Sequence, residues 1–395
     1  ANTMKNYRGK LQGMSRVGVV ARKREEERRI EAFIAADPAR RDRYAGLLAR
    51  FADVYGEMRA DAEYRMLLGL LRSSVNLFNF AYTVHEARLE RPKKDLEREP
   101  AYMERSFAQT KRRLALASDN VHGPTDRAVF EELLVRLARL EAGRKLAPLA
   151  AVTGADDPRR AAEAFVADLC ARTAMGDKGA VLAALDGPAR GAAAADDPLV
   201  ALAAALYPEY KKIQAREQAW SGTLDALSPL LLEVKSQFEA QDFIPDANGT
   251  LRLTFGRVRG YSPADAVRYG PFTTLDGVLE KSTGREPFDT PAKLFDLRRA
   301  GDFGRFKPEG LASVPACVLY DADTTGGNSG SPVLNARGEL VAVNFDRTYE
   351  ATINDYAWSP DYSRSIGVDI RYVLWVTEKF AGAGFLLDEM GVSAR

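Results

Sequence analysis

The spacing of apolar residues changes near residue 240. Before this point apolar residues recur every three or four positions, which is the spacing of one helix face. Pro38 predicts the first turn of a helix, and Pro92 predicts a helix end. Short helices joined by Asp-Pro turns are predicted between residues 147 and 205. The pattern also predicts helices over 21–36, 47–54, 60–91, 103–116, 126–140 and 210–240.

After residue 242 the pattern is typical of strands and turns. Asn248-Gly249 is a hairpin signal, and residues 251–255 alternate between apolar and polar behind it. A terminal helix is predicted over 372–380. Further strands are predicted over 316–320, 332–334, 339–344 and 365–368. The sequence therefore predicts an α+β protein, with a helical domain of residues 1–240 and a β lobe of residues 241–395. The lobe has strands enough for one barrel and too few for two.

Composition and charge exclude several classes of protein. Apolar residues make up 46% of the chain and charged residues 28%, which is ordinary for a globular protein. The formal net charge is +1, so nothing drives the chain toward nucleic acid or an anionic membrane. No apolar run is long enough to predict a membrane span. Residues 1–10 are polar and basic, so we expect no signal peptide there.

Cysteine and histidine are too scarce for metal or disulfide chemistry. Cys170 and Cys317 cannot build a disulfide framework or a cysteine-rich zinc site. His85 falls in a predicted helix and His122 in a loop, and a structural role is favoured for both. We therefore expect neither a metal nor a cofactor.

The segment Thr324-Thr325-Gly326-Gly327-Asn328-Ser329-Gly330-Ser331-Pro332-Val333 is the most informative in the chain. Glycines beside a serine let the backbone expose the hydroxyl and point two amide groups at one spot. A developing oxyanion requires that arrangement. Strands and a turn are predicted directly behind it, so the segment favours a nucleophile loop over a plain surface loop.

This segment resembles the serine loop of chymotrypsin-fold peptidases. The neighbouring segments are similar to bacterial dipeptidyl peptidases of serine peptidase family forty-six, which insert a large helical domain in a chymotrypsin-like double barrel. They are residues 243–256, Pro271-Phe272-Thr273-Thr274-Leu275, Lys5-Asn6-Tyr7 and 366–372. The resemblance covers essentially the whole chain. It implies the helical domain and the C-terminal chymotrypsin-like barrel lobe, with the N-terminal barrel absent.

The resemblance also implies roles for individual residues. Ser329 is the expected nucleophile, and the amides of Gly327 and Ser329 are the expected oxyanion hole. Asn328 stands where digestive enzymes carry the acid of their zymogen switch. In that family the general base and its carboxylate come from the N-terminal barrel, so we expect the chain alone to lack activity.

Substrate selection is the second feature that the resemblance implies. Arg347 occupies the place at which the acid-specific subgroup carries an arginine, so Asp or Glu is expected as the second substrate residue. A guanidinium binds a carboxylate by two parallel hydrogen bonds. Asp346 and Asn6 are expected to hold the free substrate amine, with Asn2 as an alternative to Asn6. Asp323 would favour basic substrates if it faced the pocket, although a place in the turn before the loop is favoured.

The main hypothesis is a serine exopeptidase that releases N-terminal dipeptides ending in Asp or Glu from peptides with a free N-terminus. One alternative is the same peptidase with a preference for apolar residues. The other is a non-catalytic peptide-binding or scaffold protein, in which Ser329 is structural. The family further implies a homodimer in the periplasm, at the cell surface or secreted.

Overall fold

The computed structural model describes residues 2–186, 196–243 and 249–392. The α-helices are α1 (Asn2–Arg16), α2 (Val19–Ala35), α3 (Pro38–Tyr44), α4 (Leu47–Ala60), α5 (Ala62–Ser74), α6 (Asn76–Glu90), α7 (Glu104–Asp119), α8 (Gly123–Arg139), α9 (Glu141–Arg144), α10 (Ala150–Thr153), α11 (Pro158–Arg172), α12 (Lys178–Leu185), α13 (Pro198–Glu239), α14 (Leu275–Glu280), α15 (Ala292–Ala300), α16 (Ile370–Trp375) and α17 (Gly384–Glu389). A turn of π-helix, Val376–Phe380, continues α16. The strands are β1 (Tyr261–Ala264), β2 (Val267–Tyr269), β3 (Phe272–Thr274), β4 (Pro315–Tyr320), β5 (Pro332–Leu334), β6 (Leu340–Arg347) and β7 (Ser365–Asp369).

The chain forms two compact units. The first comprises Ala1–Ile30 together with Asp242–Arg395, and the second is the continuous stretch Glu31–Gln241. The first thirty residues therefore group with the strands, whereas the predicted boundary at residue 240 divides the chain once. The fold is helical plus sheet. No helix in the described ranges is both long and apolar enough to cross a membrane.

The helical unit is built around one apolar core to which α5, α6, α8, α11 and α13 contribute. Local signals set several helix starts as predicted. Asp157 accepts hydrogen bonds from the amides of Arg159 and Arg160, and Asp37 accepts one from Arg40, each ahead of a proline at the first helical position. These caps satisfy amides that have no partner within the helix.

Two predicted helices have different limits in the structure. The pattern over 60–91 is interrupted at Val75, because the Asp126 carboxylate accepts hydrogen bonds from the amides of Asn76 and Leu77 and so caps a new helix. The last helix of the helical unit, α13, was predicted from residue 210 but begins at Pro198, where Asp197 caps it. The rings of Phe33 and Phe238 lie edge to face, 5.6 Å apart, so the chain enters and leaves this unit through neighbouring helices.

The strand unit contains a five-stranded antiparallel sheet in the order β3-β4-β7-β6-β5 and a separate hairpin of β1 and β2. The predicted strands that became β4, β5, β6 and β7 are confirmed within a few residues. The strand predicted over 251–255 was wrong, since these residues have no regular structure and Leu251, Leu253 and Phe255 are almost fully exposed. Of the hairpin signal before them, Asn248 lies outside the described residues.

Helix α1 lies before the first helix that the apolar pattern predicted, over residues 21–36. Its glycines lie against the 3₁₀ turn Glu350–Ile353: a Cβ on Gly9 would lie 2.3 Å from Thr352 Oγ1, and one on Gly13 would lie 2.8 Å from Ile353 Cβ. Gln12 also accepts a hydrogen bond of 2.9 Å from the Tyr349 hydroxyl. Gly9 and Gly13 therefore permit a backbone approach that any side chain would prevent.

We predict opposite effects of the same substitution at two helical glycines. Gly13→Ala is expected to lower the free energy of unfolding by about 1–3 kcal/mol, because the added methyl overpacks against Ile353. Gly56→Ala in α4 is the matched control, since nothing lies within 4 Å of its Cβ position. It is expected to raise that free energy by about 0.5–1 kcal/mol through helix propensity. Denaturant unfolding measures both, and stabilisation by Gly13→Ala would contradict the close contact.

Candidate active site

Asn344 of β6 holds the glycine-rich serine loop on the sheet. Its amide donates to the Ser331 carbonyl at 2.9 Å, and its carbonyl accepts from the Gly330 amide at 2.8 Å. Its side-chain Nδ2 donates to the Asn328 carbonyl at 3.2 Å, while its Oδ1 accepts from the Tyr320 hydroxyl. Asn344 is buried, so these bonds are shielded from water. The backbone on both sides of the serine is therefore fixed.

The loop has the backbone conformations that its glycines predict. Gly327 has a φ of 101° and Gly330 a φ of 87°, values in which a residue with a side chain would be strained. Asn328 closes the turn, because its Oδ1 accepts from the Thr325 amide at 2.9 Å. Within the part of the chain that the structure describes, the amides of Gly327 and Ser329 donate to no acceptor. Both donors are thus open to a bound oxyanion.

The Ser329 side chain is exposed and points along the end of β6. Its hydroxyl donates to the Phe345 carbonyl over 3.3 Å. The pairing of β6 with β7 shifts register between Asn344 and Asp346, which makes Phe345 the extra residue of a bulge. A bulge re-aims the side chains on either side of it. Here it lies within β6, between Asn344, which holds the serine loop, and the residues predicted to bind substrate.

Arg347 and Asp346 end β6, immediately after this bulge. Asp346 is exposed and its Oδ1 accepts from the Arg347 amide at 2.8 Å. The Arg347 guanidinium binds Asp355 by two hydrogen bonds, Nη1 to Oδ1 at 2.9 Å and Nη2 to Oδ2 at 3.2 Å. The structure thus brings Ser329, Asp346 and Arg347 to one end of one strand. It also gives the arginine a carboxylate partner that the sequence did not suggest.

Asp355 has two further partners from distant segments. Lys10 of α1 lies 2.8 Å from its Oδ2, and the Thr325 hydroxyl at the start of the serine loop donates to its Oδ1 at 3.0 Å. The hydrogen bond from Arg347, supported by those from Lys10 and Thr325, holds the pKa of Asp355 well below its usual range. Asp355 is therefore ionised at neutral pH.

Asp323 lies in the irregular segment between β4 and the serine loop, close enough to Arg347 and Asp355 to feel both charges. Burial raises the pKa of Asp323, and Asp355 raises it further, whereas Arg347 lowers it. Asp323 can thus lie both in the turn that the sequence favoured and near the predicted pocket. The assignment of Asp323 to either role stays a prediction.

Asn6 lies on the face of α1 that packs on the strand unit. It is exposed, and it precedes Gly9 by three residues and Lys10 by four, so all three share that face. Gly9 contacts Thr352, and Lys10 binds Asp355. The side chain of Asn2, the alternative to Asn6, lies outside the described residues.

Both histidines belong to the helical unit. His85 is half-buried in α6, where its ring centroid lies 5.0 Å from that of Tyr207, and burial lowers its pKa. His122 is exposed at the start of α8, with Nδ1 2.8 Å from the Thr125 hydroxyl. Burial raises the pKa of the thiols of Cys170 and Cys317. Among the described residues no group of three metal-binding side chains occurs.

Comparison with known proteins covers almost the whole chain. The family model described as Peptidase S46 matches residues 1–392. An Asp/Glu-specific dipeptidyl-peptidase of Shewanella putrefaciens is 32% identical over 414 residues, which cover 99% of this chain and 56% of that protein. A dipeptidyl-peptidase 7 of Phocaeicola vulgatus is 49% identical over 150 residues, 38% of this chain and 20% of that protein.

A solved structure extends the likeness to the fold. The crystal structure of Porphyromonas endodontalis DPP11 in complex with the dipeptide Arg-Glu is 26% identical, with a TM-score of 0.73. The match covers 98% of this chain and 55% of that one. The chain thus spans about half the length of the relatives that it matches from end to end. With 392 positions matched by the family model, this chain belongs to the peptidase S46 family.

Proposed function

We propose that this chain carries the nucleophile and the substrate-selecting residues of a serine exopeptidase. The reaction is release of N-terminal dipeptides with Asp or Glu at the second position, by acyl transfer through Ser329. One observation supports this above the others: Ser329, Asp346 and Arg347 meet at the bulged end of β6. Membership of a peptidase family and the acid-specific relatives agree with it.

The loop geometry supports the first step of the reaction. Ser329 attacks the carbonyl carbon of the second substrate residue, and the amides of Gly327 and Ser329 receive the negative charge that develops on its oxygen. Removal of one such donor typically costs about 10²–10³ in rate. The leaving group is the amine of the third residue, and water then releases the dipeptide from the acyl-enzyme.

A general base is needed to take the proton from Ser329. His85 and His122 are the two histidines of the sequence, and both lie in the other compact unit, within helical surroundings. We place the base and its orienting carboxylate in the part of the relatives' length that this chain does not match. Turnover is accordingly expected from a protein of the relatives' full length and not from these residues alone.

The architecture follows the same proposal. We infer that the antiparallel sheet of β3 to β7 is the core of a chymotrypsin-like C-terminal barrel lobe. The two domains of the chain would then be residues 1–240 and 241–395, with α1 contributing Asn6 to the site. Homodimerisation and a periplasmic, cell-surface or secreted location remain predictions from the family resemblance.

The nucleophile is tested by Ser329→Ala in a protein of the relatives' full length. We expect kcat for a free-amine dipeptidyl coumarin ending in Glu to fall at least on the order of 10³-fold. Ser331→Ala in the same loop is the matched control, because the loop contacts of Ser331 use its backbone groups. It is expected to change kcat less than about tenfold. Full activity of Ser329→Ala would refute the mechanism, and no activity in the folded parent would favour a non-catalytic binding protein.

Arg347→Gly tests the substrate preference. We expect kcat/KM for the Glu substrate to fall on the order of 100-fold, while that for the matching Leu substrate stays level or rises. Arg337→Gly, which removes an exposed arginine from the turn between β5 and β6, serves as the control. A parent enzyme that already prefers Leu would support the apolar alternative.

Two substitutions test whether Asn6 or Asn2 binds the substrate amine. If Asn6 holds the substrate amine, Asn6→Ala is expected to raise KM about tenfold with little change in kcat, because the lost hydrogen bond is made before the chemical step. Asn2→Ala would then have a small effect. Tyr7→Ala controls for changes elsewhere on α1, since Tyr7 is 64% exposed. Equal and small effects at both asparagines would refute the proposal that either binds the amine.

A further inference from the structure

The Asp355 carboxylate joins three segments that are far apart in sequence. It binds Arg347 at the end of β6, Thr325 at the start of the serine loop and Lys10 in α1. Its side chain is 30% exposed and that of Arg347 is 15% exposed, so the pair is only partly open to solvent. Ion pairs of this kind are stronger and more directional than pairs at the open surface.

The guanidinium of Arg347 has two edges that each match a carboxylate. Asp355 occupies the end edge, which is formed by Nη1 and Nη2. The side edge is formed by Nε and the second hydrogen of Nη2. In the described residues the Nε–H of Arg347 donates to no acceptor. One edge is thus held by the protein, while the other can receive a second carboxylate.

The positive charge of Lys10 explains why Asp355 does not neutralise Arg347. Lys10 lies 2.8 Å from Asp355 Oδ2, on the oxygen that also accepts from Nη2 of Arg347. Lys10 offsets the negative charge of Asp355, and the guanidinium keeps its attraction for an incoming acid.

We propose that Asp355 is the positioning residue for acid selection: it fixes the plane of Arg347 by the end edge and presents the Nε–Nη2 edge to the acidic side chain of the substrate. This inference rests on the proposed function and adds Asp355 and Lys10 to it. Fixing the donors before binding reduces the entropy that the arginine loses when it orders around the substrate.

Binding of two dipeptides tests the inference without requiring turnover. The probes are Arg-Glu and Arg-Gln, which differ in charge and hardly in shape, and calorimetry on the full-length protein gives the ratio of their dissociation constants. The parent is expected to prefer Arg-Glu. Asp355→Ala should reduce this preference about tenfold, Asp355→Asn should reduce it less because one acceptor remains, and Lys10→Met should also reduce it.

A double-mutant cycle separates positioning from a general structural role. Arg347→Ala should abolish the preference, and adding Asp355→Ala to it should change the ratio no further. Glu339→Ala is the matched control, because Glu339 forms an exposed ion pair with Arg337 in the turn between β5 and β6. It should leave the ratio unchanged.

Several outcomes would overturn the inference. An unchanged or increased preference in Asp355→Ala would mean that the carboxylate is a bystander or competes with the substrate. Equal loss of affinity for both dipeptides, with a lowered melting temperature, would mean that Asp355 only supports the fold. In both cases the proposed function would still stand, provided that the parent prefers Arg-Glu and that Arg347→Ala abolishes this preference. A parent without that preference would refute the acid-specific function and this inference with it.

Discussion

The candidate site depends on the way in which one buried amide residue joins a glycine loop to a strand. The backbone of Asn344 pairs with Gly330 and Ser331, and its side chain bonds to Asn328 and Tyr320. The loop depends on such bonds, since its glycines impose little conformational preference of their own. The same strand then bulges at Phe345 and ends at Arg347. Ser329 and Arg347, the proposed nucleophile and selecting residue, are thereby placed by a single strand.

The sequence predicted those features that depend on residues close together in the chain. Asp157 before Pro158 marked a helix start, and the glycines around Ser329 marked a loop with unusual backbone angles, because each signal depends on neighbouring residues alone. The break at Val75 was missed because the cap comes from Asp126, some fifty positions away. The strand predicted over 251–255 failed for a related reason. Alternating polarity describes a half-buried strand, yet no neighbour covers Leu251 or Leu253 among the described residues.

The candidate site was predictable to the same extent. Ser329, Asp346 and Arg347 were found by resemblance, and the structure brings them together. Lys10 and Asp355 were missed because an ion pair between residues at opposite ends of a chain leaves no trace in spacing or composition. The clue that could have pointed to α1 is the pair Gly9 and Gly13, four residues apart as on one face of a helix. Without the partner turn at Glu350–Ile353 that pair has no evident meaning.

The edge-to-face contact of Phe33 with Phe238 has a consequence for how this protein can vary. The two ends of the stretch Glu31–Gln241 lie close together, so this stretch resembles a domain inserted into the rest of the chain. A change in the length of an inserted domain has little effect on the stability of the remaining fold, because the chain entropy lost in joining its two ends grows only slowly with length. More than two hundred residues between α1 and β1 are therefore free to diverge in size and surface while the pairing of Lys10 with Asp355 is retained. The length and surface of this stretch can therefore change while the contacts around the candidate site stay as they are.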